Sequence, residues 1–367
     1  MGKIDIKEVI EDKNSWFNIK RIHSAVGNVD EPIKTFDIKN ITKANLKTLS
    51  SESNRVFEAN KLLKHFDDIK LIESGEDVYL NHMFCHKGFL SENPSFLNVT
   101  LSFNPFDSIR RIEDIDYFFK YYYEYSKSFL FVPNVMPLKS GIGIQNYINF
   151  VNESKRLLAE RNNKPIFMPI SINFTAQEIN QLLSNYVSNE NYYFWVDFEG
   201  KAITAPRIAR LKIISTFLKN KGIFDKVYVH STNIKREILS NMKNDLSASS
   251  DILASLCGIN CIGVNREPQR YFAAPSAPTN ELVAHKSRLF NKDTYYYEKL
   301  KVSVPEKDNK TKNSLLLKQE IHLQAENFLA ELDMTKYIVK KPMITNENSG
   351  ALLEALSKST RVIQRRF

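Results

Sequence analysis

Tyr192–Gly200 reads YYFWVDFEG, an apolar run that ends abruptly in Asp197, Glu199 and Gly200. Phe129–Val135 (FLFVPNV), Ile166–Asn173 (IFMPISIN), Val227–Asn233 (VYVHSTN) and Cys261–Glu267 (CIGVNRE) have the same shape. Each run is rich in β-branched and aromatic residues and closes on polar groups. Amphipathic stretches with helical spacing lie between them. That alternation predicts parallel strands joined by crossover helices. From Ile166 to Val264 the runs recur roughly every 30 residues, the length of a βαβ unit. Ligands of such sheets bind where the strands end at their carboxyl side. The polar residues that close each run are therefore the candidate site.

The expected fold is α/β: a (β/α)8 TIM-barrel-like domain over residues 1–300, followed by a basic helical C-terminal extension over residues 301–367. Phe17–Ala25 and Ile33–Ile38 alternate like strands, and pair as a hairpin that caps the barrel or lines its mouth. Lys43–Phe66 reads as a helix, because Leu46, Leu49, Val56, Phe57, Leu62 and Leu63 fall near a 3.6 period. Val78–Phe84 and Phe96–Phe103 read as strands. Thr175 with Glu178 has capping-box spacing, and Pro206 sits in the first turn of the next helix. Ile234–Lys243 and part of Glu281–Leu300 read as helical, and Pro305–Asn313 as a linker. Helices over Ser314–Leu332 and Glu347–Ile363, with an extended piece at Tyr337–Val339, complete the chain.

Only 11 of 367 residues are Gly, and no GxGxxG or Walker A loop is present, which argues against a Gly-rich phosphate cradle. HExxH, GxSxG and CxxC are also absent. The formal charge of +9 favours a polyanionic partner, nucleic acid (tRNA or DNA) or a phosphorylated ligand. The last 67 residues carry 12 Lys+Arg against 8 Asp+Glu. Three cysteines suit a reducing compartment. With no apolar leader and no run long enough to span a bilayer, the expectation is a cytoplasmic protein without a membrane partner.

Asp197 and Glu199, one residue apart, would share one face of a strand, where they could act as acid and base, the like charge raising one pKa. A salt bridge to Lys201, Arg207 or Arg210 is the alternative. His230 would stand beside Asp197 if their strands are neighbours, as a proton shuttle. Asn134, Ser171, Asn173, Ser231, Asn233 and Asn265 are polar groups at strand ends that suit substrate binding. Arg266 and Arg270 suit a phosphate after the last strand. His82, Cys85 and His86 have zinc-binding types in a spacing, H-x-x-C-H, that is not a usual zinc pattern, so neither metal nor cofactor is expected. The aromatic helix Tyr117–Tyr125 offers core or interface, or a surface on which bases stack.

Residues 160–270 resemble the second half of a tRNA-guanine transglycosylase barrel, in the strand YFWVDFEG, the strand VYVHSTN, and SSDILASLCGINCIGVNRE leading into the last strand. The resemblance implies a nucleobase- or nucleoside-directed enzyme acting on tRNA or DNA by base exchange or glycosidic cleavage. The family's Asp-Ser-Gly-Gly-Phe-Gln signature and zinc motif have no counterpart. Its nucleophilic aspartate would fall near Gly263, so a divergent relative either uses other carboxylates, Asp197 and Glu199 foremost, or has lost the exchange reaction. The alternatives are a non-catalytic nucleic-acid- or protein-binding protein on a degenerate barrel, and a barrel enzyme for a small phosphorylated metabolite.

Overall fold

The computed structural model describes residues 4–24, 27–49, 56–63, 74–84, 96–103, 116–126, 129–137, 141–160, 164–238, 245–265, 287–301, 304–346 and 351–358. The chain opens with β1 (Asp5–Glu11), β2 (Asn18–Ser24) and β3 (Gly27–Val29), an antiparallel sheet in that order. Next come β4 (Ile33–Lys34) and β5 (Phe36–Asp37), then β6 (Val56–Leu63), β7 (Phe96–Phe103), β8 (Leu130–Phe131) and β9 (Asn134–Val135). β10 (Ile166–Ser171), β11 (Tyr193–Asp197) and β12 (Tyr228–Thr232) alternate with helices Ile144–Glu160, Ala176–Ser188 and Ala205–Asn220. After β13 (Glu237–Ile238) and β14 (Leu246–Ser249), β15 (Cys261–Ile262) is the last parallel strand. β16 (Arg288–Asn291) and β17 (Tyr296–Lys299) join β13 and β14 in an antiparallel side sheet.

The parallel strands form a curled six-stranded sheet, β4-β15-β12-β11-β10-β8, and a four-stranded one, β5-β6-β7-β9. The expected eight-stranded ring is thus not one continuous ladder. Residues 33–37 supply β4 to one sheet and β5 to the other, and residues 130–135 supply β8 and β9 likewise. Thr35, between β4 and β5, donates its N–H to Ile262 O at 2.9 Å.

Period-2 alternation sorts the parallel strands into two cores. Tyr193 and Trp195 face the concave side with Phe131, Phe167, Tyr228 and Cys261. Phe194, Val196 and Phe198 face the convex side, under the helices. Trp195 is fully buried, and its indole N–H donates to Val132 O at 3.0 Å, which satisfies the one polar atom of that ring. Ile4, Ile22 and Val29 belong to the concave cluster, and Ile4 N donates to the Tyr193 hydroxyl at 3.0 Å. Lys20 donates to Phe224 O at 2.8 Å, just before β12 begins. The antiparallel sheet therefore closes the amino ends of the strands. Of the two places expected, capping the barrel or lining its mouth, it takes the capping one, and Ile33–Asp37 belongs to the parallel sheets instead of pairing with β2.

Several local expectations change. Within the expected helix Lys43–Phe66, Lys43–Leu49 is helical but Val56–Leu63 is a strand. Val56 joins the concave cluster while Phe57 and Ala59 join the convex one, so burial on both faces hides the alternation behind an accidental helical spacing. Asp77–Phe84 is a helix, not a strand. Arg288–Asn291 and Tyr296–Lys299 form a hairpin where a helix was expected. The linker reading of 305–313 gives way to a helix over Glu306–Glu331, and Tyr337–Val339 is helical through Ile338. Leu317, Ile321 and Phe328 of the long helix belong to the main core, and the Phe328 ring meets Phe17 edge-on at 5.1 Å. The capping box at Thr175 and Glu178 forms, and Pro206 sits in the first turn of its helix. Among the described residues no helix is long and apolar enough to cross a membrane.

Candidate active site

Asp197 ends β11 on the concave face, two residues beyond Trp195. It is fully buried. Asn134 Nδ2 donates to its Oδ2 at 3.0 Å, and Asn233 Nδ2 and the Glu199 N–H donate to its Oδ1 at 2.8 Å each. The Tyr147 hydroxyl donates to Asn134 Oδ1 at 2.8 Å, which fixes the direction of that amide and aims its nitrogen at Asp197. These bonds bring together residues distant in sequence: Asn134 from β9, Tyr147 from the following helix, and Asn233 from the residue after β12.

Glu199 adopts a left-handed φ of 50°, followed by Gly200 at 77°. A non-glycine residue rarely holds that conformation without support. Here the Asp197 side chain takes the Glu199 N–H, and Gly200 N donates to Asn233 O at 2.9 Å. The turn bends the Glu199 carboxylate back over the ends of β10 and β11. Ser171 Oγ donates to its Oε1, and Asn173 Nδ2 to its Oε2 at 2.7 Å. Partial burial and the Asp197 charge push its pKa up to about 7, against the pull of those donors. Glu199 therefore sits where it can both give and take a proton near neutrality. Arg207 and Arg210 donate to the backbone oxygens of Ala202 at 3.0 Å and Ile172 at 2.6 Å, so the salt bridges weighed as the alternative are not what orients these carboxylates.

His230 does not stand beside Asp197. The register pairs His230 with Trp195 and Thr232 with Asp197, which puts the imidazole one layer deeper. There its Nε2 lies 3.2 Å from Glu58 Oε2, and its ring packs on Phe131 at 4.9 Å. Burial alone would lower the imidazole pKa. The Cys261 sulfur and the Glu58 carboxylate outweigh it and raise the value to about 10. Glu58 goes the other way: burial opposes its charge, but His230 and the Thr232 hydroxyl hold its pKa below the usual range. Thr232 Oγ1 donates to Glu58 at 2.7 Å, Thr35 Oγ1 at 3.0 Å and Val264 N at 3.3 Å. This is a buried ion pair at the floor of the mouth, its Glu58 side held by three donors while His230 Nε2 faces the carboxylate without an aligned hydrogen bond. It is no proton shuttle for Asp197.

Glu58 is the residue that reading the sequence missed. Glu58 and Asn60 stand two apart on β6, the spacing of one strand face, and that was the available signal. Gly263 packs against the same pair. A Cβ there would run into Ser231 O and lie 2.6 Å from Glu58 Oε2 and 2.9 Å from His230 Nε2.

Ser231 is buried on the face opposite His230, 3.5 Å from Cys261 O, and takes no part in the mouth. Asn265 does reach the strand ends. Its Nδ2 donates to Asp251 Oδ2 at 3.3 Å. Asp251 is fully buried, receives the Tyr297 hydroxyl at 2.9 Å and Ser249 Oγ at 2.8 Å, and has its pKa raised by burial. Arg266, Arg270, Cys85 and His86 lie outside the described residues. His82 falls in the helix Asp77–Phe84. No protein-family model matches this chain, and no curated protein matches it either.

Proposed function

We propose that this chain is a nucleobase- or nucleoside-directed enzyme of transglycosylase-like type, acting on tRNA or DNA in the cytoplasm by base exchange or glycosidic cleavage. We read the two parallel sheets, which share residues 33–37 and 130–135, as one (β/α)8-type barrel whose mouth carries the site. The observation that carries the reading is Glu199: a carboxyl with a pKa near 7 at the strand ends, held beside a buried carboxylate.

That arrangement divides the labour between the two acids. Asp197 is fully buried and its carboxyl accepts three hydrogen bonds, which suits a positioning role better than a nucleophile. Glu199 is the group with the access and the pKa to move a proton. Protonated, it would give its proton to the departing base as the C–N glycosidic bond breaks. Ionised, it would take a proton from the water or incoming base that attacks the anomeric carbon. The resemblance over residues 160–270 and the net charge of +9 support the same substrate class.

The test is to incubate the protein with a tRNA pool and with duplex DNA, digest to nucleosides, and follow base loss or exchange by mass spectrometry. The wild type should change one of the two, and Glu199→Gln should slow that change by about 100-fold or more. Neither nucleic acid changing would defeat the catalytic reading.

A second reading, a binding protein on a degenerate barrel, is favoured by Gly263. A side chain at position 263, where the family it resembles places its nucleophile, would meet Ser231 O, Glu58 and His230. Salt-dependent binding of nucleic acid with no chemistry, unaltered by Glu199→Gln, is its expected signature.

A further inference from the structure

Two side-chain oxygens at neighbouring strand ends are left without a donor. Asn233 follows β12 and is fully buried, and its Nδ2 donates to Asp197 at 2.8 Å. Asn265 lies three residues beyond β15, and its Nδ2 donates to Asp251. A carboxyl oxygen facing an amide calls for the nitrogen, so each acid dictates which way its asparagine points. Asn233 Oδ1 and Asn265 Oδ1 are then both buried, and neither has a hydrogen-bond partner among the described residues. Buried polar atoms in native proteins are nearly always satisfied, and exceptions at the carboxyl ends of parallel strands fall where ligands arrive.

The two asparagines stand at adjoining strand ends. β12 and β15 are paired strands, and Asn233 N donates to Val264 O at 2.9 Å, so the asparagines sit on adjacent chains, about 5 Å apart in the backbone. Asn233 is also fixed. Its left-handed φ of 59° is pinned by that bond and by Gly200 N donating to its own carbonyl. The amide cannot turn its oxygen inward without facing one acceptor with another.

We propose that Asn233 Oδ1 and Asn265 Oδ1 form an acceptor pair that takes N–H or O–H donors of the substrate beside Glu199. This rests on the nucleoside reading above and deepens it. Two carbonyl oxygens backed by two acids repel phosphate and carboxylate, so the phosphate of a nucleotide binds elsewhere. The ligand face turned to β12 and β15 carries donors: the amino group of a base, or the hydroxyls of its ribose.

Calorimetric titration separates these sources. The probes are adenosine and guanosine, their amino-deleted counterparts purine riboside and inosine, and 2′-deoxyadenosine and 2′-deoxyguanosine. Removing the group that meets the pair should weaken binding to the wild type about tenfold. Asn265→Leu should bind the parent nucleoside as weakly as the wild type binds the deleted one, and should no longer distinguish the two. Asn233→Leu should do the same, but it also strips a donor from Asp197, so Asn265→Leu and the wild-type analogue series decide. Equal binding of all six nucleosides overturns the acceptor pair and leaves the nucleoside reading standing. Binding of none of them removes both.

Discussion

His230 Nε2 lies 3.2 Å from Glu58 Oε2, and neither side chain is more than 1% exposed. Removing one partner strands a buried charge, which costs on the order of 3–5 kcal/mol. Glu58→Gln and His230→Ala should each lose that much in chemical denaturation, while the double replacement Glu58→Leu with His230→Phe recovers most of it. The sign with pH follows from the raised imidazole pKa. Its contribution is complete below the unfolded value of 6.5 and is lost as pH rises through about 10. Wild-type stability that stays flat between pH 7 and 10 would contradict the ion pair.

Gly263→Ala tests the same floor from the other side. The added methyl meets backbone at Ser231 and the two charged groups, none of which is the free end of a flexible side chain. Overpacking of this kind costs about 1–3 kcal/mol or more. Circular-dichroism melts should show the variant well below the wild type. An unchanged melting temperature would mean that the strand moves away at no cost.

Glu199 makes a pH-dependent prediction that needs no substrate. Its pKa is raised to about 7, so the folded state holds a proton that the unfolded state releases near 4.5. Wild-type stability therefore falls as pH rises from about 4.5 to 7, then levels off. Glu199→Gln lacks this term and should gain on the wild type over that window by on the order of 2–3 kcal/mol. Parallel urea midpoints for the two proteins across that range would show that the carboxyl titrates normally.

The long C-terminal helix is part of the core. Phe328 is fully buried against Phe17, so Phe328→Ala should cost about 3–5 kcal/mol. Removing residues 305–367 would expose Leu317, Ile321 and Phe328 contacts together. The truncated chain should show a broad, non-cooperative melt. A cooperative melt close to full length would make the helix an independent appendage.

Much of the parallel-sheet framework was legible because its strands announce themselves twice. Apolar runs such as FWV and VYV are buried on both faces, and each closes on polar residues. The capping box at Thr175 and the proline at position 206 mark helix starts by local chemistry alone, and both hold. The hairpin at Arg288–Lys299 pairs β16 with β17 locally, but β17 is also paired with β14, where Ala248 meets Tyr296 and Leu246 meets Glu298, and no local pattern carries that longer contact.

By itself the sequence determined strand and helix where an apolar run closes on polar residues or a cap is local, and it placed Asp197, Glu199, Asn134, Ser171, Asn173 and Asn233 at the ends of strands. Those are properties of neighbours along the chain. Only the tertiary structure decided their partners. The register between β11 and β12 sends His230 one layer down to Glu58, because residues paired across parallel strands share a level and a single step along the strand changes face. The closeness of β6 to β12 brings Glu58 into the site at all. Donors from three separate segments gather on Asp197 and fix its carboxylate beside Glu199. Hydrogen bonds across 63 and 36 residues of chain do this, and a partner's identity at such a distance is set by packing and not by spacing.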